Sequence, residues 1–517
     1  MNKKTATKPA MNAIQLGLFA SRIEAVCDEM GAILRNAAFS PNIRDRLDFS
    51  CAVFDARGEL CAQAAHIPVH LGSMAFAMAD VVNHIQWHPG DQVILNDPYL
   101  GGTHLPDVTL IAPVFAEHEL QAFVVNRAHH ADIGGSTPGS NPISSHLEEE
   151  GIIIKPVQLL NQGQKVAEVW ERIHRGTANP QETAGDLSPQ ISANSAGIER
   201  LRGLIMEQTA DEFQQGLLAL NDYAARVAHA ALSSIPAGEY IFTDYLDDDG
   251  QGRTDIPIKV CLQVSEGEIE VDFSGTADQV AGNVNCPLSV AAAAVYYVFR
   301  CLMPAHTPAC AGAFRHIHLH AEQGSLLNAR YPAAVAAGNV ETSTRIVDVI
   351  MGALGRAIPD QMASASHGSM NNVAMGSNAP AGRWDYYETI GGGMGASCKH
   401  PGPGGIHTHM TNTLNTPVEV LEQRHPLRVR RYQIRRNSGG SGRCAGGEGL
   451  VREFEFLAPA EFTLLTERRR HEPWGVDGGG NGRTGENLLN GRPLPGKCHR
   501  HARSGDVLTL KTPGGGG

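Results

Sequence analysis

Asn96-Asp97-Pro98-Tyr99-Leu100-Gly101-Gly102-Thr103-His104-Leu105-Pro106-Asp107, followed further along by Asn126-Arg127-Ala128-His129-His130, decides how this chain is read. Pro106 forbids a regular helix and pushes Leu105 into an extended conformation, so His104 and Asp107 flank a stiff entry into a strand. That strand runs from Val108 to Phe115, Ala116-Glu117-His118-Glu119 turns, and Leu120 to Val125 returns as an apolar, β-branched strand. With the turn centred on His118, position 107 faces position 128 or 129. His104, Asp107 and His129 then meet at the open end of one hairpin. Two imidazoles and a carboxylate converging there make a divalent-metal site of the open, catalytic kind. His130 and Asp132 stand as replacements or supports for His129, because neighbouring strand residues point to opposite faces.

A second segment repeats the pattern. Asp48-Phe49-Ser50 leads into Cys51 to Asp55, Ala56-Arg57-Gly58-Glu59 turns, and Leu60-Cys61-Ala62-Gln63 returns toward His66, with His70 four residues on. The same arithmetic puts Asp48 near His66 and makes Asp48 a fourth ligand. A lone histidine beside a strand is ordinarily a packing residue. What points to metal is the accumulation of such groups in the first quarter of the chain.

The 517 residues suffice for two to four domain-sized cores, and 42% apolar content is that of an ordinary soluble protein. A net charge of −12 argues against nucleic acid or an anionic membrane as partner. Fifty-seven glycines, clustered as in Gly391-Gly392-Gly393 and Gly478-Gly479-Gly480, predict tight turns that let backbone approach a ligand. Ten cysteines without a Cys-x-x-Cys pair, several in apolar surroundings, indicate reduced thiols and a cytoplasmic protein. No uninterrupted apolar run follows the basic start, so neither a signal peptide nor a membrane span is expected.

The pattern of elements predicts an α+β fold, a multi-subdomain mixed α/β protein whose β-hairpins carry the metal site. Residues 1–12 read as a disordered tail, 13–236 as the metal-site subdomain, 237–440 as a middle subdomain with Gly-rich pocket loops, and 441–517 as a β-rich C-terminal subdomain. Helical periodicity covers 13–38, 186–232 and 288–303, and alternation from Ile258 to Val264 marks a strand. Asp247-Asp248-Asp249-Gly250 lacks the ligand spacing of a calcium loop and reads as an exposed turn. His400, His407 and His409 suit a polar pocket wall or partner contact, with metal binding as the alternative. Arg424 to Arg443 and Arg468-Arg469-Arg470 read as solvated faces, or alternatively as a surface that docks an acidic partner or guides a phosphorylated intermediate. No Walker-type phosphate loop is present, so any ATP is expected on another polypeptide.

Taken in order, Arg46-Leu47-Asp48-Phe49-Ser50, His66 to Met74, Asn96 to Asp107, Asp272 to Thr276, Gly338 to Ser343, Tyr386 to Gly393, Thr411 to Glu419, Ser438 to Gly442 and Pro473-Trp474-Gly475 resemble the hydantoinase B/oxoprolinase family. The likeness runs over roughly residues 13–517 as one unit, and family members tend to continue past the final glycine run.

The resemblance implies the metal-site subunit of an ATP-dependent complex. A hydantoinase A-type partner would phosphorylate the carbonyl oxygen of a cyclic amide or imide (a hydantoin, 5-oxoproline or a lactam) using ATP and magnesium. The activated species would be hydrolysed at the metal site of this subunit in a hetero-oligomer. It assigns one zinc, manganese or iron ion to His104, Asp107 and His129 with Asp48 fourth. His66, His70, His130 and Asp132 become supporting or acid/base groups, and Tyr99, Gly101, Gly102, Glu388 and Gly392 substrate contacts. The alternative is a subunit of an ATP-dependent acetone- or acetophenone-carboxylase-type enzyme. A non-catalytic scaffold is a third reading, and it has no need of converging ligands.

Overall fold

In the computed structural model, which describes residues 11–65, 67–70, 72–377 and 383–517, the hairpin lies in the middle of a seven-stranded sheet. The strands are β1 (Phe49–Asp55), β2 (Leu60–Ala65), β3 (Gln92–Leu95), β4 (Asp107–Ala116), β5 (Glu119–His129), β6 (Val157–Asn161) and β7 (Gln164–Lys165). They run in the order β2-β1-β5-β4-β3-β6-β7, every pair antiparallel. Glu117 and His118 take positive φ at the predicted turn (49° and 70°). Side chains alternate across the sheet. Cys51, Val53, Val114 and Val124 pack against the helices Ala13–Ala37 and Pro180–Glu207. Ala52, Phe54, Phe123 and Val125 pack on the other side against Met74 and Met78 of the helix Ser73–His84. Burial on both faces is why these strands read as near-continuous apolar runs rather than alternating ones.

The Ala13–Ala37 helix starts at a capping box, in which Gln15 N–H donates to Asn12 Oδ1 and Asn12 N–H to Gln15 Oε1, each at 3.0 Å. The single helix expected over 186–232 is two, Pro180–Glu207 and Ala210–Leu232. Continuous apolar periodicity hid the break. Its sequence signal is Thr209 with Glu212, a second capping box.

A second sheet, order β11-β10-β9-β8, holds β8 (Gly238–Asp248), β9 (Thr254–Ser265), β10 (Glu268–Asp272) and β11 (Ile317–His320). It shares a core with the helices Leu288–Leu302 and Ser343–Ala357. Asp247 and Asp249 are buried here and do not form an exposed turn. Asp247 Oδ2 accepts the N–H of Arg469 (2.6 Å), and Asp249 Oδ1 accepts those of Gln251 and Arg253 (2.8 and 3.0 Å). These carboxylates fasten loops, which composition alone does not reveal.

The remaining strands are β12 (Asn372–Ser377), β13 (Trp384–Glu388), β14 (Leu427–Arg435), β15 (Gly449–Phe456), β16 (Ala460–Leu465), β17 (Glu486–Leu489), β18 (Arg492–Leu494), β19 (Lys497–Ala502) and β20 (Val507–Lys511). They form sheets of order β13-β12-β16-β19 and β14-β15-β20-β17-β18 around a common core of Val373, Phe454, Phe462 and Leu508. Both sheets draw strands from either side of residue 440. The first arginine cluster lies along β14, with Arg428 and Arg431 half-solvated beside Glu455 and Glu453. The second is different. Arg468 is fully buried, its Nη2 2.7 Å from Asp244 Oδ2 and 2.6 Å from Asp348 Oδ2, and Arg469 is half-buried with Nη1 donating to Asn371 Oδ1 at 2.7 Å. A buried guanidinium is tolerable only when paired, so this cluster ties the second sheet to the third.

The Gly-rich segments pack closely against one another. Gly515 N–H donates to Gly447 O (2.9 Å), Gly440 N–H to Gly515 O (2.8 Å) and Gly517 N–H to Gly480 O (2.9 Å). A Cβ on Gly393 would sit 1.9 Å from Gly447 O, and one on Gly515 2.1 Å from Met394 O, so only glycine admits this backbone-to-backbone packing. No helix among the described residues is long and apolar enough to cross a membrane.

Candidate metal centre

The β4–β5 register places Asp107 directly opposite His129. Ahead of β4, Asn96 clamps the loop: its Nδ2 donates to Leu105 O (2.8 Å) and Ile152 O (2.9 Å), and its Oδ1 accepts Ile154 N–H (2.6 Å). Pro106 O accepts the His130 N–H at 2.8 Å. The entry is therefore fixed from both sides, and His104 is delivered beside Asp107. Across the sheet, His129 N–H donates to Asp48 O at 3.0 Å, just after Leu47, whose φ of 59° turns the chain into β1. A non-glycine residue in that region is strained, and such strain concentrates at functional sites.

Asp107 Oδ1 lies 3.1 Å from both His104 Nε2 and His129 Nδ1, and Oδ2 lies 3.4 Å from His70 Nε2 while accepting Thr103 Oγ1–H at 2.5 Å. His70 Nδ1 in turn sits 3.0 Å from Ser50 Oγ. Burial alone would raise the Asp107 carboxyl, but the charge of His104, the close His104 and His70 imidazoles and the hydrogen bond with His129 hold it well below the usual carboxylate range. One ligand atom from each of His104, Asp107 and His129 falls within a 4.8 Å group. Asp48 and His70 line the same cavity, of about 20 Å³, along with Tyr387, Thr389, Thr411, Thr413, Asn339 and Met370. Asp48 is held from behind by Arg46, whose Nη2 stands 4.0 Å from Asp48 Oδ2.

The donor set fits a divalent metal on independent grounds. Both nitrogens of His104, Nε2 of His129 and Nε2 of His70 are buried without a hydrogen-bond partner. Buried polar atoms are rarely left so, and a cation at their meeting point satisfies several at once. Imidazole with carboxylate suits zinc, manganese or iron.

The other predicted residues lie elsewhere, and His66 falls outside the described residues. His130 points to the opposite face, Nε2 2.9 Å from Gln190 Oε1, and burial lowers its pKa. Asp132 accepts the N–H groups of Ala178 (2.6 Å), Asn179 (2.7 Å) and Gly134 (2.8 Å), all its visible capacity spent on the turn before the Pro180–Glu207 helix. Tyr99 OH donates to Ala333 O (2.6 Å), Gly101 and Gly102 press against the backbone of Ala77 and Asn96, and Gly392 against His367. Glu388 is buried against Arg452 at 3.0 Å. None of these five lines the cavity. His407 and His409 are buried away from the ligand group, and His400 is exposed. Sequence reasoning passed over Ser50, Thr103 and Tyr387. Tyr387 stacks on His129 with ring centroids 5.1 Å apart, under the Arg46 guanidinium at 4.8 Å. Thr103 had a signal, since a hydroxyl adjoining a ligand loop is well placed to orient its carboxylate.

The fold is mixed α/β, and its central hairpin brings to one sheet end a buried His-Asp-His group that could hold a metal ion. The chain belongs to the hydantoinase B/oxoprolinase family, which it matches over residues 12–517. It is 38% identical to 5-oxoprolinase 1 of Arabidopsis thaliana, over 98% of this chain but 42% of that protein's length. It is 32% identical to a protein of Pseudomonas sp. (strain NS671) named as a D-/L-hydantoinase subunit, over 100% of this chain and 91% of that one. Among solved structures it superimposes on the ATP-dependent caprolactamase of Pseudomonas jessenii with a TM-score of 0.91 and 25% identity, covering 98% and 91% of the two chains.

Proposed function

We propose that this chain is the hydrolytic subunit of an ATP-dependent complex that opens a cyclic amide or imide after a hydantoinase A-type partner has phosphorylated it. The observation that carries this reading is the convergence of His104, Asp107, His129 and Asp48 on one buried cavity with several imidazole nitrogens unpartnered. A divalent ion held there supplies Lewis-acid polarisation and lowers the pKa of water toward ~7. The chain's own residues do the rest. Asp107 and Asp48 provide negative charge, and Thr103 fixes Asp107 Oδ2, the oxygen that faces His70. His70, oriented by Ser50, is the group placed to take a proton from the attacking water and return it to the departing ring nitrogen, and a second water then splits the resulting acyl phosphate into carboxylate and phosphate. The names 5-oxoprolinase, hydantoinase and caprolactamase among its relatives support the substrate class, and the length of the 5-oxoprolinase beyond this chain supports a phosphorylating partner.

The test is reconstitution with the partner, ATP and magnesium. Hydantoins, 5-oxoproline and lactams should yield ring-opened carboxylate and phosphate without bicarbonate, and neither ring opening nor ATP turnover should occur with this chain alone. Product that forms only with bicarbonate and carries its labelled carbon would replace the hydrolase with a carboxylase.

A further inference from the structure

The metal cavity, at about 20 Å³, has room for little more than one water or ion, and every described residue around it is buried. A five-membered amide ring needs several times the ~30 Å³ share of a single water. Substrate therefore requires a larger space beside it. A pocket of about 400 Å³ shares one wall residue with it among the described residues, Tyr387. That volume falls in the usual range for small-molecule sites.

Resting on the hydrolase reading above, we infer that this outer pocket receives the cyclic amide and that displacement of the Tyr387 ring joins it to the metal cavity. The walls match a planar amide. Trp384, Tyr386 and His425 offer ring faces, their centroids 5.3 Å apart in the Trp384–His425 and Tyr386–His425 pairs. Asn42, 3% exposed, is in the pocket wall with its Oδ1 held by Arg46 Nη1 at 3.2 Å and its Nδ2 without a partner, a donor that a small side-chain rotation would offer to a ring carbonyl. Glu182 and Asp385 can accept a ring N–H. Burial, then the charge of neighbouring acids, raises them to about 7 and about 6, which limits their repulsion of the phosphorylated ring, whose charge Arg383 and Arg424 of the same wall can meet. Arg46 spans the partition, since it also donates to Tyr387 O (3.0 Å) and Thr389 Oγ1 (3.3 Å) on the metal side.

Two substitutions plug the pocket from separate walls, Ala178→Trp and His425→Trp. In the reconstituted complex each should lower kcat/KM at least tenfold, mainly through KM, with metal content unchanged. Wild-type kcat/KM in either plugged, fully metallated variant would overturn the port. If the bulky side chains instead prevent folding, crystals of the wild-type chain soaked with 2-pyrrolidinone decide. The ring should lie against Trp384 and Asn42, and a ring found only elsewhere, or none, rejects the inference. Absence of metal from the wild-type chain would instead undo the hydrolase reading, leaving the soak to judge the pocket alone.

Discussion

Asp107 and His129 stand opposite one another across the β4–β5 hairpin, with Asp107 Oδ1 3.1 Å from His129 Nδ1. The pair is built into strand register, so its geometry cannot drift without unpairing the sheet. The candidate site sits at the end of a paired, buried hairpin, with the Thr103 and Ser50 hydroxyls beside its charged groups.

Thr103→Val should therefore weaken metal binding by about 10–100-fold without unfolding the chain, because it removes the 2.5 Å bond that orients Asp107 Oδ2. Competition with a chromophoric chelator measures it. Unchanged affinity would mean that the hydroxyl has no part in the site.

The buried joint between sheets makes a sharper demand. Arg468→Met leaves Asp244 and Asp348 buried with a partner missing, and should cost about 3–5 kcal/mol. Urea unfolding of wild type and variant reads the loss, and a midpoint unchanged from wild type would contradict the pairing.

Glu150 gives a pH test with a definite sign. Burial raises its carboxyl to about 7, against hydrogen bonds from Ala336 N–H, Ser144 and Val335 N–H, while Oε2 has no partner. The folded chain thus binds a proton more tightly than the unfolded one between pH 4.5 and 7, and stability falls as pH rises through that window. Glu150→Gln retains the Oε1 acceptor and cannot ionise. Its stability relative to wild type should grow by up to about 3 kcal/mol from about pH 4.5 to about pH 8. A difference flat in pH would place no raised carboxyl there.

Glycine substitutions should split by environment. Gly395→Ala puts Cβ 1.8 Å from Ser364 O and should abolish or severely lower stability. Gly203→Ala meets nothing within 4 Å, lies inside the Pro180–Glu207 helix, and should add up to about 1 kcal/mol. Thermal melts separate the two, and equal effects would refute the close-packed glycine interior.

Much of this was legible in the sequence where one local rule dominated. Pro106 and the turn at Glu117–His118 set the register that brings Asp107 to His129, so the hairpin followed from spacing alone. Residues whose partners are distant in sequence were not legible. Arg468 reads as surface until Asp244 and Asp348 arrive beside it, and Asp247 reads as a turn until Arg469 donates to it. Gly393 and Gly447 look like ligand loops because the chain that packs them lies outside any local window. Tyr387 was inside a quoted motif, but its stacking on His129 depends on the third sheet meeting the first.

The most direct test is elemental analysis of the wild-type chain beside His104→Ala and Asp107→Ala, each confirmed folded by circular dichroism. The account predicts about one zinc, manganese or iron per wild-type chain and most of it lost from both variants, with Asp48→Ala losing less. Full occupancy in folded His104→Ala and Asp107→Ala, or a wild-type chain that binds no divalent ion on titration, would contradict it.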